Sequence, residues 1–138
     1  MTNKQLYANI EKILPKDQIF TDEILRLVKG TDAGLYRLVP KVVVKVDSEA
    51  EVTRLLTFCN TKKVPLTFKA GGTSLSGQTI SDSLLMEIGQ GFEFSSITDR
   101  GHTATFGCGL TGTAANRMLM RYKRKLLPKP ASIDSAKI

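Results

Sequence analysis

The chain has 138 residues, 41% of them hydrophobic, and a formal net charge of +7, which fits one folded domain with an ordinary core and a basic surface. No apolar run approaches the ~20 residues that span a bilayer. The opening MTNKQLYANIEKIL is too polar for a signal peptide, so the reading is a cytoplasmic protein without a transmembrane segment. Cys59 and Cys108 are the only cysteines and lack C-x-x-C spacing, which argues against a disulfide framework and against a zinc or iron–sulfur site. Each is expected to be a small core residue.

From Asn3 to Leu14 the apolar Leu6, Ile10, Ile13 and Leu14 recur at helical spacing until Pro15 stops the run. Asp22 can cap a short helix through Ile24, Leu25 and Val28 that ends near Gly30, and residues 31–36 are irregular. Lys41 to Val46 is a strand by its β-branched content. Ser48 and Glu51 form a capping box that opens a helix carrying Val52, Leu55, Leu56 and Cys59. A buried strand from Val64 to Phe68 follows, giving a β-α-β unit with a right-handed crossover and two parallel strands. Ser83 to Ile88 is a third strand, broken by Gly89 to Gly91. Phe92 to Ile97 and Thr103 to Phe106 are further strand pieces, and Thr111 or Thr113 starts a helix through Ala114, Ala115, Met118, Leu119 and Tyr122.

The chemistry concentrates in Val64 to Gln78, where an apolar strand ends abruptly in Ala70, Gly71, Gly72, Thr73, Ser74, Leu75, Ser76, Gly77 and Gln78. Gly71 and Gly72 allow backbone angles and close approaches that a Cβ would block. Successive backbone N–H groups turned inward by such a loop can satisfy a pyrophosphate without a cationic side chain. An ordinary glycine-rich turn would have the same composition. Two familiar nucleotide motifs fail here. Gln78 stands where a P-loop needs its lysine, and no G-x-G-x-x-G follows the strand, so neither an ATPase nor a standard Rossmann fingerprint fits.

Pro65-Leu66-Thr67 followed by Gly72-Thr73-Ser74-Leu75-Ser76-Gly77-Gln78 resembles the first FAD-binding loop of the flavoproteins related to vanillyl-alcohol oxidase and p-cresol methylhydroxylase. Tyr36 to Val44 upstream and Pro128-Lys129-Pro130-Ala131-Ser132-Ile133-Asp134 downstream are similar to the D-lactate and D-2-hydroxyglutarate dehydrogenase branch of that family. The resemblance implies an α+β fold: the first α/β subdomain of a PCMH-type FAD-binding domain, a small β-α-β parallel sheet, plus the first elements of the second subdomain. It divides the chain into an N-terminal helical segment, residues 1–35, and an FAD-binding domain, residues 36–138, incomplete at its C-terminus.

The same resemblance implies an FAD-dependent oxidoreductase acting on CH–OH groups, with a small D-2-hydroxy acid giving a hydride to flavin N5. The 138 residues alone would then be inactive. The amides of Gly71 to Gly77 would take the pyrophosphate, Thr73, Ser74 and Ser76 hydroxyls could add bonds, and Pro130, Ala131 and Ser132 would line the flavin end. Thr73 occupies the place of the histidine that tethers FAD in some members, which implies non-covalent FAD. Lys69 departs from the arginine often found at its position. Catalytic residues, metal ligands and any iron–sulfur module would lie beyond Ile138.

A basic surface is also the footprint of nucleic-acid binding. Arg117, Arg121, Lys123, Arg124, Lys125 and Lys129 crowd the C-terminal part beside Tyr122, so a stand-alone basic nucleic-acid-binding module is the alternative. One aromatic is a poor stacking platform, and cations late in a helix follow from its dipole. The reading therefore has FAD as partner and no nucleic acid. His102 is the only histidine and supports no catalytic triad. It is expected to be structural or exposed.

Overall fold

The computed structural model describes residues 1–127 and 129–138; Pro128, which opens the downstream motif, lies outside the described residues. Thr2 caps helix α1 (Asn3–Ile10), its hydroxyl accepting from the Gln5 amide while the Gln5 side chain accepts from the Thr2 amide. A short strand β1 (Ile19–Phe20) and helix α2 (Glu23–Lys29), capped by Asp22, follow. Strand β2 (Val42–Val46) leads to α3 (Glu49–Lys62), which opens with the Ser48/Glu51 capping box read from the sequence. Such a cap contributes about 1 kcal/mol. Strands β3 (Leu66–Lys69) and β4 (Leu84–Ile88) complete the first sheet. A two-stranded ribbon, β5 (Ser95–Thr98) and β6 (Thr103–Phe106), precedes helix α4 (Gly112–Met120).

The first sheet has the order β1-β2-β4-β3. Strand β1 runs antiparallel to β2, whereas β2, β4 and β3 are mutually parallel, so β4 lies between the two strands of the β-α-β unit. Burial on both faces explains the unbroken apolar runs of β2 and β4, where Val42, Val43, Val44, Leu84, Leu85 and Met86 are fully buried. The architecture is α+β, with parallel strands and flanking helices. Leu6, Ile10, Leu14 and Ile19 belong to the same core cluster as Val44, Leu55 and Met86. Residues 1–35 are thus packed onto the sheet and add a strand to it, rather than standing apart as helix alone.

Three local expectations are corrected. Strand β3 is an edge strand, not a buried one: Phe68 is 45% exposed, and the residue of β3 that is buried is Lys69, at 7% exposure. Phe92 closes a 3-10 turn (Gln90–Phe92) and enters the core, so the next strand starts only at Ser95. Cys108 is exposed. Its neighbours fold back on the preceding segment, with the Gly109 amide donating to the Phe92 carbonyl at 2.9 Å and the Gly107 amide to that of Phe94 at 2.8 Å. That tight backbone turn leaves the side chain between them in solvent.

Cys59 is buried, and burial pushes its thiol up to about 11 from the ordinary 9.0. A folded-state pKa above the unfolded one gives stability that is complete below about pH 9 and is lost as pH rises toward 11. Two units correspond to at most roughly 2.7 kcal/mol. Denaturant unfolding of the wild type and Cys59→Ala at pH 8 and pH 10.5 should show a wild-type loss that exceeds the variant's by up to about 1.8 kcal/mol, since pH 10.5 is still below the folded-state value. Equal losses in the two proteins would contradict it.

Among the described residues, no helix is long and apolar enough to cross a membrane.

Candidate functional site

Strand β3 delivers the glycine loop at its carboxyl end, where open parallel sheets bind ligands. Ala70 to Gln78 form one continuous, partly exposed loop between β3 and β4. Gly72 has φ +64° and Gly77 φ +77°, the left-handed region that L side chains rarely adopt. A Cβ on Gly72 would also stand 2.9 Å from Lys69 Cε. Ser74 organises the turn from within: its Oγ accepts from the Ser76 amide at 3.3 Å and the Gln78 amide at 3.1 Å, and its hydroxyl donates to Gln78 Oε1. Among the described residues, none accepts a hydrogen bond from the amides of Gly72, Thr73, Ser74, Leu75 or Gly77. Those N–H groups are free for an outside acceptor.

The second predicted stretch returns to this loop. Pro130 and Ala131 are exposed, Ser132 is half-buried, and Ile133 is buried against α4. The Ile133 carbonyl accepts from the Thr113 amide at 3.1 Å, and the Thr113 hydroxyl donates to Asp134 at 2.5 Å. The Ser132 carbonyl turns the chain by accepting from the amides of Ser135 (2.9 Å) and Ala136 (2.7 Å). The tail then pairs with Thr111 through Lys137, whose ammonium sits 2.9 Å from Glu93. Here it meets the first loop: a Cβ on Gly71 would be 2.5 Å from the Ser135 carbonyl oxygen and 3.3 Å from Ala136 Cα. Gly71 is therefore a point of close approach that leaves no room for a side chain. Direct contact between the two stretches is made by residues 135–137, while no hydrogen bond among the described residues joins Pro130, Ala131 or Ser132 to the glycine loop.

Sequence reasoning missed the residues that brace the loop from behind. Asp32 Oδ1 accepts from the Gly34 amide at 2.8 Å, its Oδ2 lies 3.5 Å from the Thr79 hydroxyl, and a Cβ on Gly34 would stand 2.7 Å from the Leu75 carbonyl oxygen. The Asp32-Ala33-Gly34 run is a recognisable Asx turn, so a signal existed. For Ser135 to Lys137 none did.

The basic C-terminal residues behave differently. Arg117, Lys123, Arg124, Lys125 and Lys129 line a separate cleft of about 700 Å³ beside α4. Tyr122 packs under the Arg121 guanidinium, 4.9 Å from ring centroid to cation, and exposed His102 is within 2.8 Å of Arg124.

A family model described as an FAD binding domain matches residues 40–138. The chain belongs to this family. It is 35% identical over 81 residues to the D-lactate dehydrogenase [cytochrome], mitochondrial, of Arabidopsis thaliana, an overlap of 56% of this chain and 14% of that protein. An alkyldihydroxyacetonephosphate synthase structure superposes with a TM-score of 0.80 at 17% identity, over 97% of this chain and 28% of the other. For p-cresol methylhydroxylase with substrate bound, the TM-score is 0.74 at 12% identity, over 92% and 26%. These likenesses establish a PCMH-type fold. The chain is an FAD-binding domain, and it spans between 14% and 28% of the length of those relatives. The loop is compatible with the cofactor: two of its glycines adopt the left-handed conformation, and five of its amides have no acceptor among the described residues.

Proposed function

We propose that the free amides of Gly72, Thr73, Ser74, Leu75 and Gly77 hold the FAD pyrophosphate, and that the chain works as the first wall of the cofactor site in a longer flavoprotein. The observation that carries this reading is the run of unpartnered N–H groups in a loop whose shape requires glycine at Gly72. Fixed backbone dipoles stabilise a diphosphate without adding cationic side chains, and they need no reorganisation when it arrives. Gly71 brings the loop up against residues 135–137, directly after Ala70. Ser74 and Gln78 keep the loop folded from within, while Thr73 and Ser76 have hydroxyls free to add bonds. Pro130, Ala131 and Ser132 lead into the segment that abuts Gly71 and would form the flavin-side rim. In this division residues 36–138 are the FAD-binding domain and residues 1–35 its N-terminal brace. With Thr73 at the position where some relatives of this fold carry a tethering histidine, FAD is held without a covalent bond.

The substrate class we infer is a small D-2-hydroxy acid, on the strength of the overlap with the Arabidopsis D-lactate dehydrogenase, which covers the sequence around the loop. Bound FAD supplies the hydride acceptor for oxidation at a CH–OH carbon. What this chain supplies is binding and orientation. A pyrophosphate cradle discriminates between ligands that contain a diphosphate and those that do not. Equilibrium dialysis against FAD, ADP and riboflavin tests the assignment: FAD and ADP should bind, and riboflavin should bind at least tenfold more weakly than FAD. Riboflavin bound as well as FAD would overturn it.

A further inference from the structure

We infer that Lys69 is a positioning residue that pre-sets the shape of the FAD loop by tying the end of β3 to the segment after α2. The inference rests on the cradle reading above only for its link to FAD. Lys69 is the buried residue of an otherwise half-exposed edge strand. Its ammonium donates to the carbonyl of Lys29 at 2.7 Å and to that of Thr31 at 2.5 Å, groups nearly forty residues away in sequence. The Lys29 carbonyl belongs to the last turn of α2, where helix carbonyls lack partners and a cation is favoured by the dipole.

The placement is specific in three further ways. The Lys69 stem fills the space beside Gly72, its Cε standing 2.9 Å from where a Cβ would be, so the lysine and the left-handed glycine occupy adjoining volumes. Glu87, the register partner of Lys69 on β4, is engaged by Lys29 at 2.8 Å, which leaves the Lys69 ammonium to the two carbonyls. The segment that these carbonyls anchor is the one that touches the loop again, through Gly34 against the Leu75 carbonyl, Asp32 near the Thr79 hydroxyl and the Tyr36 ring against Gly77. Burial also holds the Lys69 ammonium below the ordinary lysine range, partly offset by Glu87. A buried cation that ties the head of the supporting segment to the strand entering the loop fixes that support. Residues 29–36 and 70–79 then move as one piece, and the amides stand ready before the diphosphate arrives, which lowers the ordering cost of binding.

The test compares Lys69→Met, which keeps the stem and removes the donors, with Lys69→Arg, which restores donors. Backbone ¹⁵N relaxation of the FAD-free chain reads loop order, and FAD titration followed by amide shifts reads affinity. In Lys69→Met the order parameters of residues 31–36 and 71–77 should fall from near 0.85 toward 0.6, FAD affinity should drop at least tenfold, and β2, β4 and α3 should be unchanged. Lys69→Arg should recover most of both losses. If Lys69→Met fails to fold, Asp32→Ala removes the second brace from a partly buried turn and should give the same pattern with a smaller loss of affinity. Unchanged loop order in the variants would overturn the inference. Loosened loops in a protein whose wild type shows no FAD shifts would retain the brace and remove the cofactor reading, so the two failures are distinguishable.

Discussion

Replacing Gly72 by valine should abolish FAD binding while leaving the domain folded. Gly72 has φ +64°, a conformation that costs a non-glycine residue about 1–3 kcal/mol and a β-branched one the most. The new Cβ would also be 2.9 Å from Lys69 Cε, so relief requires either the lysine to leave its two carbonyls or the loop to move. Both outcomes redirect the amides of residues 72–75. If these amides hold the diphosphate as proposed, misplacing two or three of them should lower affinity at least a hundredfold, about 2.7 kcal/mol. The buried residues of β2 and β4 are elsewhere, so circular dichroism and a cooperative thermal transition should persist. A folded Gly72→Val protein that binds FAD as tightly as wild type would remove the loop from the site.

The 138-residue chain alone should bind FAD no more tightly than micromolar. The cradle lies in a loop at the surface, and the solved structures it resembles are more than three times its length. An extended dinucleotide draws affinity from its whole length. If contacts to the isoalloxazine ring worth ~4 kcal/mol are supplied by a second wall, their absence weakens binding about a thousandfold. The chain should therefore purify colourless and oxidise no hydroxy acid. Calorimetric titration with FAD decides the point, and sub-micromolar binding would show that this wall is sufficient.

The parts of this account that were legible in the sequence are those governed by local physics. The Ser48/Glu51 capping box, the β-branched run of β2 and the glycine break after β3 each declare themselves over a few residues, and the resemblance of the loop gave the family that residues 40–138 match. What was not legible depends on which elements become neighbours. Nothing in Leu84 to Ile88 says that β4 inserts between β2 and β3. That insertion makes β3 an edge, and its pleat puts Phe68 on the open face and Lys69 on the face covered by the segment after α2, the reverse of what residue type suggests. The two-residue β1 is too short to carry a period. Cys108 was misread because free cysteine is usually buried, whereas here the backbone of Gly107 and Gly109, not the side chain between them, makes the close contacts. In the candidate site, the glycines and hydroxyls were read correctly as one loop. The approach of Ser135 to Lys137 and the brace from Asp32 are long-range packing, invisible to spacing.

The proposed receivers of the FAD diphosphate are the amides of Gly72, Thr73, Ser74, Leu75 and Gly77. Titrating FAD, to millimolar concentration where needed, into the ¹⁵N-labelled chain tests this most directly. Saturable shifts are expected at Gly72, Thr73, Ser74, Leu75 and Gly77, with smaller ones at residues 135–137 where the second stretch abuts Gly71, and the same loop shifts with ADP. Shifts confined to Arg117, Lys123, Arg124 and Lys125 in the basic cleft, with the glycine loop unmoved, would contradict it.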